Sequence, residues 1–555
     1  MDDSFVKAPL NVPKLSGFDK SHQNLLTTKC GTITPILIDE LIPGSKVNLK
    51  LALSASLPPL ASDTFMRCSV KVRAFFVPFR LLAGSFESWF TDTDKKYSVS
   101  GTSYATRRGY MPCIGGLDST NDATAIAAMT AVGGLFDYLG YKSTNSAALT
   151  TSGVAISALP ALAYHRVWQD WFRNTLVQNE CFLPPSSGNA TGFSPAVTSF
   201  YAGLSPYLFW GMYGSSNSYT MSSTAQLSLA DGKYLYQLRQ ENFGLDYFST
   251  ATPSPQQGSA EVVSFVTSGA TGQFSIAALR AANSLQQFKE RNNLAGNLFV
   301  EQCYARYGVS PSDGVAQRTL YLGSQDYEVY SKGIFNNTNE QATGMAGNNN
   351  PFGDVVGAQY GSAKATGNGT LVSGFEAKEP GYLLVTATLV PRVTYSSGIH
   401  RRFTNYVGPG SLSDLANPIL QNVGPQPIYM YELHGNGSSA GVFGYTDRYA
   451  TFKTMEDELH GIVRDGSSLQ AFALQRSFSG GSNPQINSSF LEIPTTFMDQ
   501  VTATSATISQ YGCWMDCYFD YKVAQPLAKY SLPSLQDPAY EHGRTIVVHK
   551  GGKRV

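Results

Sequence analysis

Ser69-Val-Lys-Val-Arg-Ala-Phe-Phe-Val77 alternates apolar and polar side chains, turns apolar at its end, and stops at Pro78. Period two over this length marks a strand with one buried face. A proline then ends it, because it has no N–H for the next ladder bond. Tyr382-Leu-Leu-Val-Thr-Ala-Thr-Leu-Val390 is apolar or β-branched almost throughout and stops at Pro391. Thr32–Ile38 and Thr502–Tyr521 are further strand candidates by the same criteria. These runs lie far apart in sequence, so their pairing is non-local. The expectation is a mainly β chain, a sandwich or jelly roll with long loop insertions containing short helices.

Helical spacing appears inside the excursions. Pro160–Gln178 places Tyr164, Val167, Trp168, Trp171, Phe172 and Leu176 on one helix face. That spacing favours core or subunit packing over stacking of Trp168 and Trp171 on bases or sugars. Ser275 is placed to cap a second helix, with Ile276, Leu279, Leu285 and Phe288 expected on its buried side. Asn297–Tyr307 is a third helical candidate. Gly101–Leu159, Pro184–Asp231 and Gly333–Gly374 are rich in Gly, Ser, Thr, Ala and Asn and read as surface loops.

Charged residues are 14% of the 555-residue chain, against roughly 25% in average soluble proteins. The chain also has 31 Tyr and 31 Phe. Few charges and many aromatics fit a surface largely covered by partners, and equally fit a secreted β-protein with polar loops. The formal net charge of +0 argues against a dedicated nucleic-acid condenser, which should be strongly basic. Seven scattered cysteines (Cys30, Cys68, Cys113, Cys181, Cys303, Cys513 and Cys517) form no CxxC pair, so a reducing compartment is expected. On a strand, Cys513 and Cys517 share a face and act as buried structural thiols rather than zinc ligands. The Met-Asp-Asp start shows no secretory signal, and no apolar run approaches the ~20 residues of a membrane helix.

Catalytic motifs are absent from the sequence: there is no GxSxG elbow, HExxH, Walker loop or complete Rossmann fingerprint. Gly435–Ala440 is an ordinary turn, and Asp92-Thr-Asp94 lacks the following ligands of a calcium loop. His22, His165 and His400 read as packing or hydrogen-bonding residues. The Asn-x-Ser/Thr triplets at Asn189, Asn336, Asn368, Asn436 and Asn487 read as chance matches in Asn/Ser-rich stretches. Glu376 with Glu379, or Glu456, Asp457 and Glu458, are the carboxylates available to a glycoside hydrolase, but nothing singles them out. The basic tail carries Arg544, His549, Lys550, Lys553 and Arg554 and could reach phosphates by charge.

Asp246-Tyr-Phe-Ser-Thr-Ala-Thr-Pro-Ser-Pro-Gln-Gln-Gly258 is an aromatic anchor followed by a Pro-punctuated extended segment. Leu279-Arg-Ala-Ala-Asn-Ser-Leu-Gln-Gln-Phe-Lys-Glu-Arg291 follows it closely. This pairing resembles the major capsid protein of microviruses, the small tailless single-stranded DNA phages, in the gokushovirus-like branch. Similar fragments recur in the family's order. They include Val12 to His22 with Phe18 and Asp19, Pro35–Glu40, Phe75–Leu82, and Tyr164 with Trp168, Trp171, Phe172 and Arg173. Phe299–Gly308, Glu379–Tyr382 and Phe443–Tyr449 continue the order. Gokushovirus capsids carry a long insertion after the turn, whereas only a short segment separates Gly258 from Phe274 here.

The resemblance implies a single antiparallel β-sandwich jelly-roll domain over 1–555, with an N-terminal arm (1–30), surface loops near 101–159, 184–231 and 333–374, and a basic tail (540–555). It implies a virion protein assembled in the host bacterial cytoplasm as a T=1 icosahedral homo-oligomer around circular single-stranded DNA. Further implied partners are a small basic DNA-binding or packaging protein, other minor virion proteins and a host surface receptor. No catalytic residue, metal, cofactor or membrane insertion is implied. Phe18, Asp19, His22, Tyr164, Trp168, Trp171, Phe172, Arg173, Asp246, Tyr247, Phe248, Pro253, Pro255, Gln256 and Gly258 are the family-like structural or interface residues. The segment Asp246–Gly258 would suit an extended arm lying on a neighbour. The alternative reading is a carbohydrate-binding β-sandwich adhesin.

Overall fold

A computed structural model describes most of residues 5–549. Outside the description lie 1–4, 14, 62–63, most of 84–122, 142–155, 182–228, 230, 261–275, 297, 337–358, 406–415, 436–440, 479–483, 504–506, 528–539 and 550–555. Asp92–Asp94, Asn189, Asn436 and the cap at Ser275 therefore lie outside the described residues, as do nearly all of 184–231 and the 436–440 part of the Gly435 turn.

Nine strands form one antiparallel sheet that curls on itself into a sandwich. They are β1 (Ser16–Asp19), β2 (His22–Thr28), β3 (Thr34–Leu41), β4 (Lys46–Ser56), β5 (Cys68–Pro78), β6 (Leu320–Asn336), β7 (Gln359–Glu376), β8 (Gly381–Pro391) and β9 (Cys513–Gln525). The order is β1–β9–β4–β7–β6–β5–β8–β3, with β2 also pairing β9. Neighbours such as β9 and β4 lie more than 450 positions apart, so the pairing is non-local as expected. Alternation decides the inward face. Val47, Leu49, Leu51 and Leu53 of β4 point in, while Lys46, Asn48, Lys50 and Ser54 point out. On β9, Met515, Cys517, Phe519 and Tyr521 are buried, and Trp514, Tyr518 and Lys522 are exposed. These residues meet Val70, Val72, Leu383 and Val385 of β5 and β8 in one core.

β8 and the second half of β5 are buried on both faces. The second face carries Phe75 and Val77 of β5 and Leu384 of β8, which together with Ile33, just before β3, pack under helix α1 (Leu159–Val167). Two sequence expectations give way here. α1 runs into one π turn at Trp168–Phe172 and stops because Arg173 is extended, leaving Leu176 beyond it. Within 101–159, expected as surface loop, Ala125, Ile126, Met129, Leu135 and Phe136 join this second core.

Other boundaries shift for identifiable reasons. The expected strand Thr502–Tyr521 begins only at Cys513; a short helix, Ile508–Tyr511, precedes it, with the Thr507 side chain accepting from Gln510 N–H. Much of 333–374 is not loop, because β7 occupies Gln359–Glu376 between β4 and β6. Its glycines are required there: a Cβ on Gly367 would lie 2.4 Å from the Tyr327 ring, and one on Gly369 would lie 2.4 Å from Gln325. Residues 16–28 of the expected arm are β1 and β2, laid along β9. Phe5–Pro13 pairs antiparallel with Tyr540–His549, joining the two ends of the chain in a separate ribbon.

Helix α2 (Ile276–Ala295) forms where expected, but its apolar side is not buried. Ile276, Leu279, Leu285 and Phe288 are exposed, and its buried residues are Asn292 and Asn293. Helix α3 (Phe299–Tyr307) follows and buries none of its own residues.

Leu383 lies fully buried on β8 in the main core. Leu383→Ala should lower the unfolding free energy by about 2–5 kcal/mol through lost burial plus a residual cavity, measured as a fall in the urea midpoint at unchanged slope.

Candidate functional site

Three sets of family-like residues are tied into their own chain. The first fixes the N-terminal strands. Phe18 packs against the main core, paired opposite Val523. Asp19 accepts from Ser21 N–H at 2.9 Å, and the Ser21 hydrogen bonds hold its carboxyl below the usual range. His22 stacks on Phe519 at 5.2 Å, with Nδ1 2.8 Å from Lys20 O. Lys20 and Tyr521 both reach Asp39, at 2.7 and 2.6 Å.

The second set clamps α1 to the sheet. Tyr164 donates to Ile33 O at 2.7 Å and accepts from Arg239 N–H at 2.8 Å. The Arg239 guanidinium lies 4.5 Å above Trp168, donates to His165 Nδ1 at 2.9 Å and pairs with Asp231. Burial first, then Arg239, holds His165 well below its ordinary value, so it is neutral and donates from Nε2 to Leu235 O. Trp171 donates to Thr319 at 2.9 Å under the Arg318 guanidinium. Phe172 lies against Arg73 and Phe75, and Arg173 holds Glu180 at 3.0 Å. With Trp168 buried and Trp171 half-buried under these partners, neither presents a free stacking face for a base or sugar.

The third set is Asp246–Gly258. Asp246 accepts from Phe248 N–H at 2.9 Å and from the Tyr395 hydroxyl at 2.9 Å. Tyr247 donates to Glu432 at 2.9 Å. Phe248 is buried among Tyr395, Phe443 and Tyr247. Thr252 pairs with Tyr445 through two 2.8 Å backbone bonds. Beyond the half-exposed Pro255, Gln256 meets Gln286, and Ser254 O on the same stretch accepts from Asn293. Gly258 turns the chain with φ +71°. The segment described here is therefore anchored in its own chain, as a strap between the aromatic cluster around Phe248 and the base of α2.

A cleft of about 1190 Å³ opens beside the strap, lined by Lys71, Asp246, Glu328, Arg392, Lys453 and Glu456 among others. Burial first, then Asp246, Glu432 and Glu458, raises the Glu456 carboxyl to about 7. The other carboxylates weighed for hydrolysis are engaged: Asp457 by Arg392 at 2.5 Å, Glu458 by Arg402 at 2.5 Å, and Glu379 by Arg80 at 2.5 Å. Glu376 lies 3.8 Å from Lys46. Among the described residues no group of three or more His, Cys, Asp or Glu is placed to hold a metal. Burial pushes the thiols of Cys513 and Cys517 up to about 12, fitting inert core cysteines. Of the basic tail, Arg544 and His549 lie in the strand opposite Leu10 and Phe5, while Lys550, Lys553 and Arg554 lie outside the described residues. No described helix is long and apolar enough to cross a membrane.

A family model described as capsid protein (F protein) matches residues 10–535. Capsid protein VP1 of Chlamydia phage 1 is 23% identical over 623 residues, covering 97% of this chain and 98% of that protein. Capsid protein VP1 of Bdellovibrio phage phiMH2K is 23% identical, covering 96% and 97%. Capsid protein VP1 of Spiroplasma virus 4 is 22% identical, covering 93% and 94%.

Two outcomes follow from this geometry. Asp246→Ala removes the acceptor of the Tyr395 hydroxyl and opens the strap's first turn, so unfolding free energy should fall by about 1–3 kcal/mol, read by urea titration. Glu456 binds its proton more tightly folded than unfolded, so its stabilising contribution is present below about pH 4.5 and lost as pH rises through about 7. Glu456→Gln should flatten that decline, seen by comparing urea midpoints at about pH 5 and about pH 8; equal slopes in both proteins would refute the assignment.

Proposed function

The chain belongs to the capsid protein (F protein) family of phages, and on that premise we propose that it forms a T=1 icosahedral shell of about sixty equivalent copies around a circular single-stranded DNA genome. Membership makes it a structural protein of the virion that assembles with copies of itself, and its relatives are capsid proteins rather than enzymes. The observation that carries the reading is collinearity: the family model spans residues 10–535, and the relatives match from end to end.

Physical features support the finer statements. A rigid sandwich with long excursions supplies a wall and its contacts. Obligate contacts of this kind commonly bury roughly 2,000–5,000 Å², and a net charge of +0 adds little repulsion between copies. The same neutrality calls for help in compacting DNA, so a small basic packaging protein and other minor virion proteins are proposed partners. Arg544, His549, Lys550, Lys553 and Arg554 are the proposed DNA or interior contacts. Loop sequences within 101–159, 184–231 and 333–374 are proposed to meet a host surface receptor, and assembly is placed in the host bacterial cytoplasm.

Density-gradient sedimentation of the native-source protein, with electron microscopy and nuclease treatment of its fractions, tests this. Uniform small icosahedra with protected single-stranded DNA are expected. A slow-sedimenting monomer without nucleic acid, from mature material, would overturn it.

A further inference from the structure

We propose that the terminal ribbon, Phe5–Pro13 paired with Tyr540–His549, joins two copies of this chain edge to edge: the Tyr540–His549 strand of one copy pairs antiparallel with the same strand of a second. The proposal rests on the assembly reading above and names one backbone contact through which it operates.

The ribbon stands apart from the rest of its chain. Its strands pair with each other from Phe5 opposite His549 to Pro13 opposite Tyr540. Neither strand belongs to the nine-stranded sheet, and neither packs more than marginally on any other described element. A two-stranded ribbon by itself is marginal in water, and independent stability takes three strands or more. A second ribbon laid alongside makes four.

The prolines say which edge is open. A proline in a paired strand sits with its missing N–H on the unpaired side. Pro9 and Pro13 are four residues apart, so both fall on the same side of their strand, and the outer edge of Phe5–Pro13 lacks two donors. Prolines placed this way block edge-to-edge pairing. The other strand follows from the register. Pro9 faces Thr545, so that pair exchanges no hydrogen bonds, and Thr545 turns its own N–H and C=O outward. Alternation extends the row to Val547 and His549. The register shift at Leu10/Asn11 lies before Thr545 and leaves this row regular. Tyr540–His549 contains no proline, and Thr545-Ile-Val-Val548 is a β-branched run, the composition strands favour.

Symmetry names the occupant. A capsid protein's most abundant neighbour is another copy of itself, and every copy carries the same open edge. Two identical strands laid antiparallel are self-complementary, so the contact is isologous and closes on itself. A two-fold axis at Val547 uses the whole row: Val547 meets the second copy's Val547, and Thr545 meets its His549, each pair exchanging two hydrogen bonds. The two proline edges then lie outermost, and the pairing stops at four strands.

Cysteine variants of the full-length assembled protein test this, oxidised in air with copper and run on a denaturing gel without reductant; wild type sets the background from its own cysteines. Cα atoms across a hydrogen-bonded antiparallel pair are about 5.5 Å apart, within reach of a disulfide. Val547→Cys sets two thiols across the axis and should give at least tenfold more covalent dimer than Thr545→Cys or His549→Cys alone. The double variant Thr545→Cys/His549→Cys should recover the dimer to within about twofold of Val547→Cys, because each thiol then faces the other kind. No dimer above wild type from Val547→Cys, or a double variant no better than its single parents, would overturn the pairing. If Val547→Cys does not fold, the double variant against its parents decides alone. Failure of the wild-type chain to form particles refutes the shell reading instead, and the same cross-links are then read on the unassembled chain.

Discussion

The half-sheet of β5, β8 and β3 must be covered on both faces, and the rest of the molecule is arranged around that need. Val70, Val72, Leu383 and Val385 face the opposing half-sheet, while Phe75, Val77 and Leu384 face outward from it. Exposed, that second set would be a large apolar patch on a sheet surface. Curling of the sheet through the long strands β6 and β7 covers the first face. A helical excursion covers the second, which is why a jelly roll here carries so much chain between its strands.

Apolar cover alone does not hold an excursion in register, and this one is fixed by buried charge. Arg73, a polar position in the alternating stretch of β5, forms a bidentate pair with Glu241 at 2.7 and 2.8 Å. Two residues earlier, Arg239 gathers Asp231, His165 and Trp168. Removing one partner would leave a buried charge without compensation, a cost well above that of an exposed pair. The same logic roots α2 through the Asp246–Gly258 strap: polar groups are spent within the chain, and the apolar surface that remains is available between chains. With charge balanced at 40 basic and 40 acidic residues, shape and burial rather than long-range attraction govern association.

Much of this was legible locally. The alternation in Ser69–Val77 and the apolar run Tyr382–Val390 appear as β5 and β8, with β5 alternating in burial as far as Arg73 and buried on both faces beyond it, and Cys513 and Cys517 share one buried face of β9. The spacing of Tyr164, Val167 and Trp168 appears as packing against the sheet. The strand β7 was not legible, because Gly367 and Gly369 read as loop residues until Tyr327 and Gln325 are seen lying across them. The two short helices within 101–159, Ala123–Thr130 and Leu135–Tyr138, were hidden by a composition of small residues. The exposure of α2 was hidden for a different reason: an amphipathic pattern states that a face needs cover but not which chain provides it.

By itself the sequence determined the class of structure, the inward face of the central strands and, through its ordered family resemblance, the kind of protein. Those properties are carried by period-two and helical spacing and by short ordered motifs, which survive in a linear reading. Only the tertiary structure decided that the strap is anchored in its own chain, that Trp168 and Trp171 are covered, that Glu379, Asp457 and Glu458 are paired with arginines, and that α2 turns its apolar side away from its own core. Each of these depends on partners many positions away in sequence, such as Asp246 with Tyr395 or Arg80 with Glu379, whose proximity is created by the non-local pairing of the sheet.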